Sequence, residues 1–418
     1  MADPPWAPLL LDAARADPAA AAAARLEQAW GQQRLVALAG PGQQGELAAA
    51  LGGAPGELAD LARFGAAVVV GSGGSSGGRH WCLQPLAHLQ ASADATAAWL
   101  EGLGLEPAAC LHLDPLPLHH VSGLLPLVRA RRWGGELRWL APALLRRPEL
   151  LPEACPLPGG RPVLLSLVPT QLARLLASPA ATAWLAGCAV IWVGGAGLPA
   201  PLAAAARRAR LPLAPCYGAT ETAAMVCALP PQDFLAGVPG CGAPLADVAL
   251  RLDGATGAVE VRCARLSPGR LVGGRLQPLP LQPDGWWRSG DGGRIGPEGL
   301  ELLGRLDGAL HSGGETVFPE RLEERLQAEA ARDGADVEAL LLLARPDPEW
   351  GERLVALVRP RREAEGAELL ALLQAITAAW APAERPRSWH LCPSLAPTAA
   401  GKWERGRWQR WLDSLEAF

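Results

Sequence analysis

The sequence predicts an α/β fold: a large N-terminal domain of layered α/β subdomains, a small β-rich subdomain within it, and a small α+β C-terminal domain. Three observations predict it. Short apolar runs alternate with helical stretches through the first half, and strand-then-glycine junctions recur. From about residue 237 to 303 the texture changes to short strand-like pieces divided by Gly and Pro. Beyond residue 307 a compact pattern of helix, two strands and helix follows. At 418 residues the chain can hold two or three domains, each with its own core.

Taken in order, the first 60 or so residues read as helical and Ala-rich. Asp17 can cap a helix with Pro18 at its first position, ahead of Ala19 to Ala24 and Arg25-Leu26-Glu27. Ala66-Ala67-Val68-Val69-Val70 reads as a buried strand that runs into Gly71-Ser72-Gly73-Gly74-Ser75-Ser76-Gly77-Gly78-Arg79. Val163 to Val168 leads to Pro169-Thr170 and a helix. Ala189 to Val193 leads to Gly194-Gly195-Ala196-Gly197, Pro199 and an Ala/Arg helix. The β-rich pieces are Val248 to Leu252, Ala258 to Arg262 and Leu300 to Leu303. The C-terminal pattern is a helix from Pro319 to Ala331, strands near Ala339 to Leu343 and Leu354 to Val358, and a helix from Glu363 to Trp380. The main boundary falls near Asp307, giving domains 1–306 and 307–418. No repeat of fixed period is evident.

Composition narrows the function. The 38 Lys and Arg against 42 Asp and Glu give a formal net charge of −4, which argues against a dedicated nucleic-acid binder. No uncharged apolar run reaches the ~18–20 residues needed to cross a bilayer. The opening Met1-Ala2-Asp3-Pro4-Pro5 has no basic region ahead of Leu9-Leu10-Leu11, so a secretory leader is not expected. Nine scattered cysteines without a C-x-x-C fit reduced thiols in a cytoplasmic protein.

Two residue types occur once. Lys402 is the only lysine and Tyr217 the only tyrosine. A coding bias that replaces Lys by Arg wherever it serves makes a surviving Lys informative, because Arg cannot stand in for a compact point charge on a slim stem. Chance survival on a solvated surface is the competing reading, and position must decide.

The segment Gly71–Arg79 suits an anion, since a Gly/Ser loop after a strand points several N–H groups and hydroxyls at one spot. A flexible surface loop is the bland alternative. The residues from Gly73 to His80 nearly match G-x-x-x-x-G-K-[ST], but Arg79 and His80 stand where a Walker motif has Lys and Ser/Thr.

Further segments carry a resemblance. Tyr217-Gly218-Ala219-Thr220-Glu221-Thr222 resembles the Y-G-x-T-E segment of the adenylate-forming (acyl-CoA synthetase) superfamily. Gly71–Arg79 is similar to its phosphate loop, Pro117-Leu118-His119-His120-Val121-Ser122-Gly123 to its P-L-x-H-x-x-G, and Gly194-Gly195-Ala196 to its G-G-A. Asp284-Gly285-Trp286-Trp287-Arg288-Ser289-Gly290-Asp291 resembles D-G-W-x-x-T-G-D. Gly304-Arg305-Leu306-Asp307 resembles G-R-x-D, Ser312 to Glu320 its S-G-G-E-x-[IV]-x-P-x-E, and Pro397 to Lys402 its closing G-K. The segments keep the family's order from residue 71 to 402.

The resemblance implies an enzyme using ATP, Mg²⁺ and CoA, with a mobile C-terminal lid. It implies phosphate contacts from Ser72, Gly73, Gly74, Ser75, Ser76, Arg79 and Thr220, and adenine and ribose contacts from Gly194, Gly195, Ala196, Tyr217, Gly218, Asp291 and Arg305. Glu221 holds the metal, His120 and Lys402 serve catalysis, and Asp307 is the hinge. The sole lysine thus falls on the family's catalytic lysine. Gly74, Ser76, Gly78 and Arg79 depart from the family's phosphate loop, which implies altered nucleotide affinity. Ser289 replaces the usual Thr and keeps its hydroxyl.

Ser166-Leu167-Val168-Pro169-Thr170-Gln171-Leu172-Ala173-Arg174-Leu175-Leu176 is similar to a run in the 2-succinylbenzoate–CoA ligase branch, which serves menaquinone or phylloquinone synthesis. If a helix begins at Thr170, Arg174 lies one turn on, so hydroxyl and guanidinium share a face able to grip a second carboxylate or a carbonyl. Arg174 is otherwise one surface arginine among many. His120 and Gly195 complete the expected substrate pocket. The adjacent His119-His120 has no carboxylate or Cys at metal-ligand spacing. The expected partners are small molecules, with no nucleic acid, no stable membrane insertion, and a homodimer left open. Two rivals stand: a ligase for another carboxylic or amino acid, and a nucleotide-binding homologue without activity. Thr170 with Arg174 discriminates against the first, and the retained Lys402 against the second.

Overall fold

The computed structural model describes residues 9–12, 19–52, 60–72, 79–335, 337–362, 365–397 and 403–415. Two compact units emerge. One comprises residues 1–198, 202–289 and 294–301, and the other residues 199–201, 290–293 and 302–418.

The first unit is built on two six-stranded sheets. Strands β1 (Leu9–Asp12), β2 (Leu35–Ala39), β3 (Ala67–Gly71) and β4 (Trp81–Pro85) lie side by side in that order. The second sheet takes β5 (Leu111–Asp114), β6 (Glu136–Trp139), β7 (Val163–Leu167), β8 (Val190–Val193), β9 (Leu213–Ala219) and β10 (Ala224–Ala228), in the spatial order β10-β9-β8-β7-β5-β6. Its strands β5 to β9 run parallel, and β10 returns antiparallel. Next come β11 (Ala249–Leu252) and β12 (Ala258–Arg262), then the hairpin β13 (Gly269–Val272) and β14 (Arg275–Pro278), which extends the first sheet by pairing β13 with β4. Strands β15 (Trp287–Gly296) and β16 (Gly299–Arg305) join β11 and β12 in a four-stranded sheet.

The expected α/β layering is present because the parallel strands are buried on both faces. Val163, Leu165, Leu167, Ile191 and Val193 share one core with the helix Pro169–Leu176, while Val36, Leu38, Val68 and Val70 share another with the helices Ala19–Gly31 and Val121–Trp133. Fully buried strands read as continuous apolar runs without alternation.

That same property explains a correction. The first 60 residues read as helical, yet β1 precedes the helix Ala19–Gly31 and β2 lies between it and the helix Gln44–Leu51. Leu35-Val36-Ala37-Leu38-Ala39 is buried throughout, and a short apolar run rich in Ala and Leu cannot be told from helix by periodicity. Asp17 and Pro18 lie outside the described residues; the helix after them spans Ala19–Gly31.

The second unit carries β17 (Leu310–Ser312), β18 (Glu315–Val317), β19 (Val337–Asp347), β20 (Gly351–Pro360) and β21 (Ser388–Leu391), ordered β18-β17-β20-β19 with β21 on β20. Leu340 and Leu342 face the helices Pro319–Arg332 and Gly366–Thr377, whereas Leu341 and Leu343 face Trp408 and Leu412 of the helix Arg405–Ser414. The helix expected over Glu363 to Trp380 is shorter, Gly366–Thr377. Among the described residues no helix is long and apolar enough to cross a membrane.

Candidate active site

In the second sheet the chain leaves β5 for the edge strand β6 and then returns across β5 to β7. Strand order therefore reverses between β5 and β7, and open parallel sheets bind ligands in the crevice outside the carboxyl ends of strands at such a point. Four of the sequence-predicted segments follow those carboxyl ends: His119-His120 after β5, Thr170 and Arg174 after β7, Gly194-Gly195-Ala196 after β8, and Tyr217 to Glu221 closing β9. The topology brings together residues that are up to a hundred positions apart in sequence.

His120 stands directly before the helix Val121–Trp133, whose Leu124 N–H donates to the His120 carbonyl at 2.9 Å. His119 is buried and its ring lies 4.4 Å from that of His120, centroid to centroid. Gly123 permits the turn, since a Cβ there would sit 2.3 Å from the Pro117 carbonyl oxygen. Pro169 opens the next helix, and the Gln171 side chain accepts from Val168 N–H at 3.1 Å. Thr170 and Arg174 are both exposed on that helix, one turn apart, and Arg174 holds no hydrogen bond or ion pair among the described residues.

Tyr217 is buried at the end of β9, and the hairpin to β10 turns through Thr220–Thr222. A Cβ on Gly218 would stand 2.1 Å from the Ala224 carbonyl oxygen, so only glycine fits. Ala223 and Ala224 adopt φ of 51° and 77°. Left-handed alanines persist only where surroundings over-determine them, and here they do. Gln84 Nε2 donates to the Thr220 carbonyl at 2.6 Å, and Ser267 N–H donates to the Glu221 carbonyl at 2.7 Å. Arg265, fully buried, donates to the carbonyls of Thr222 and Met225 and pairs with Asp247 at 2.6 Å. The Glu221 carboxylate, itself buried, accepts from Arg270 Nη2 at 2.7 Å.

The neck of the glycine-rich segment is described at both ends. Ser72 N–H donates to the His80 carbonyl at 2.7 Å, and His80 N–H donates to Ser72 Oγ at 3.2 Å. Arg79 reaches Glu46 on the helix Gln44–Leu51 at 3.4 Å. Gly73, Gly74, Ser75, Ser76 and Lys402 lie outside the described residues.

In the second unit Asp291, Arg305 and Asp307 form one charged group. Arg305 donates to both oxygens of Asp307 at 3.1 and 3.0 Å and reaches Asp291 at 3.5 Å. The carboxylates, that of Asp307 foremost, raise the Arg305 guanidinium above its usual range.

The AMP-binding enzyme family matches residues 85–262. The probable 2-succinylbenzoate–CoA ligase of Mycobacterium tuberculosis is 31% identical over 353 residues, covering 81% of this chain and 82% of that protein. The chain belongs to the 2-succinylbenzoate–CoA ligase family of AMP-binding enzymes. The 2-succinylbenzoate–CoA ligase of Enterococcus faecalis is 28% identical over 84% of this chain and 70% of its own length. Escherichia coli MenE with a bound m phenylether-linked analogue of OSB-AMS superposes with a TM-score of 0.66 and 25% identity, covering 93% of this chain and 86% of that one. The unliganded o-succinylbenzoate coenzyme A synthetase of Bacillus subtilis gives 0.67 at 18% identity, over 92% and 87% of the two chains, a likeness of fold.

Among the described residues no group of three His, Cys, Asp or Glu gathers. A single buried carboxylate, Glu221, fits a hard cation that brings phosphate oxygens as its other ligands. Sequence reasoning missed the residues that hold the Glu221 turn: Gln84, Arg265, Ser267 and Arg270. Each is ordinary in its local sequence.

Proposed function

We propose that the protein is an ATP-dependent, AMP-forming acid–CoA ligase that activates 2-succinylbenzoate and transfers it to CoA, within menaquinone or phylloquinone biosynthesis in the cytoplasm. The observation that carries the substrate is the exposed Thr170–Arg174 face beside the strand-order reversal, with an uncommitted guanidinium. A dicarboxylate whose succinyl acid reacts needs a counter-charge for its ring acid, and Arg offers two parallel donors to a carboxylate. The relatives named for this reaction support the same reading.

The substrate carboxylate attacks the α-phosphorus of ATP, forming the acyl-adenylate and releasing pyrophosphate. CoA thiolate then attacks the acyl carbon and releases AMP. Two anions must meet in the first step, so fixed positive charge is needed where they approach. Lys402 supplies it, and His120 lines the pocket beside the reacting carboxylate. Gly194 to Ala196 and Tyr217 receive adenine and adenylate, the Thr220 hydroxyl and the glycine-rich segment the phosphates, and Asp291 with Arg305 the ribose. Magnesium, held by Glu221, would neutralise phosphate charge when bound. Asp307 is the hinge on which the C-terminal domain rotates to admit the thiol.

The test is pyrophosphate release from Mg·ATP with 2-succinylbenzoate, benzoate or hexanoate, with and without CoA. Release is expected with the dicarboxylate alone, and Arg174→Ala should raise its KM about 10- to 100-fold, the worth of a charge-assisted pair. Release with a monocarboxylate instead would remove the quinone assignment and keep the adenylation chemistry.

A further inference from the structure

The Arg270–Glu221 pair is not explained by the reaction as described. Arg270 lies on β13 directly opposite Cys82 of β4, in the register Gly269↔Leu83, Arg270↔Cys82 and Leu271↔Trp81. Cys82 lies two residues after His80, on the strand that leaves the glycine-rich segment. Partial burial and, after it, the charge of Arg270 hold the His80 imidazole below its ordinary value. Arg270 remains partly exposed at 27%, while Glu221 is 7% exposed. One Nη of Arg270 is committed to Glu221, and its Nε is buried with no partner among the described residues. A buried donor without a partner is costly, which favours any state that supplies an acceptor.

A divalent cation and a guanidinium repel each other when they share one carboxylate. A triphosphate offers the guanidinium several acceptor oxygens in a geometry suited to its fork. We propose that Arg270 is a nucleotide-binding residue that works by exchange. Without nucleotide it neutralises Glu221; when Mg·ATP enters, it yields the carboxylate to the metal and turns onto the phosphates. This rests on the assignment of Glu221 to the metal. The exchange stands in for the lysine absent from the glycine-rich segment, where Arg79 is tied to Glu46. It also keeps an uncompensated carboxylate from repelling incoming ATP.

The experiment is calorimetric titration of ATP into the full chain, in EDTA and across a Mg²⁺ series, for wild type, Arg270→Gln and Glu221→Gln. In Arg270→Gln the ATP dissociation constant should rise about tenfold at saturating Mg²⁺, while the Mg²⁺ midpoint for tight binding falls several-fold. Loss of packing alone would not move these two quantities in opposite directions. In Glu221→Gln, metal-free ATP should bind about tenfold tighter because Arg270 is released, and the gain from Mg²⁺ should disappear. The near-isosteric Glu221→Gln keeps the test decisive if Arg270→Gln does not fold. Unchanged metal-free affinity in Glu221→Gln, or an unchanged Mg²⁺ midpoint in a folded Arg270→Gln, would overturn the exchange. Wild type that does not bind Mg·ATP would instead overturn the functional reading, and the exchange with it.

Discussion

Gly218 shows how one position ties sequence to site. It lies between the sole tyrosine and the Thr220–Glu221 turn, and the approach of the Ala224 carbonyl leaves no room for a methyl. Gly218→Ala must push the two strands of the hairpin apart, at about 1–3 kcal/mol by the usual cost of overpacking. The expected result is a thermal midpoint lower by several degrees together with weaker ATP binding, read by melting and calorimetry on the same samples. Unchanged values for both would mean the hairpin yields without strain. Glycine, tyrosine and carboxylate were all legible in the sequence because they stand together in one hexapeptide that resembles a family motif. Arg270 was not, because its partner is 49 residues away and arginine is abundant in this chain.

At the scale of elements, the helix Arg405–Ser414 is fastened to the helix Pro319–Arg332 by a half-buried ion pair, and to the second unit's sheet by a hydrogen bond. Arg405 donates to both Glu323 oxygens at 3.0 and 2.9 Å and to the Leu342 carbonyl at 2.8 Å, and Leu342 N–H donates to Glu323 at 2.7 Å. Burial pushes the Glu323 carboxyl up from 4.5 to about 7, against the pull of Arg405. A carboxyl raised on folding binds more protons in the native state, so its contribution is full below about pH 4.5 and fades as pH rises through 7. Glu324, raised to about 7 by burial, adds in the same direction. Unfolding of the second unit should therefore become easier from pH 5 to 7, by about 2 kcal/mol from Glu323 alone. Glu323→Gln should flatten that slope in denaturant titrations, and a slope that persists unchanged would reassign it. The helices and strands of this unit were legible from their apolar runs, but the pair was not, since Glu323 sits among charged neighbours that look like a solvated face.

For the whole molecule, the proposed reaction assigns Lys402 to one half-reaction. On that reading its charge serves while carboxylate meets phosphate and is no longer needed once the adenylate exists. Lys402→Ala should slow adenylation by about 100- to 1000-fold, the scale of a lost electrostatic contact in a transition state. Thioester formation from preformed adenylate should stay within a few-fold. Equal loss of both half-reactions, measured in single turnover, would count against this division of labour.

The sequence by itself determined which chemistries are present and in what order along the chain. Flat ring, glycine, hydroxyl and carboxylate at Tyr217 to Glu221, a sole lysine at 402, and a hydroxyl and guanidinium one helical turn apart at Thr170 and Arg174 are local patterns, and local patterns survive in one dimension. Tertiary structure alone decided how they meet. The reversal of strand order between β5 and β7 sets the His120 and Thr170 segments on neighbouring strand ends. The β13 hairpin carries Arg270 to Glu221. Strand pairing across many residues follows from which apolar faces can be buried together, and that is a property of the folded whole.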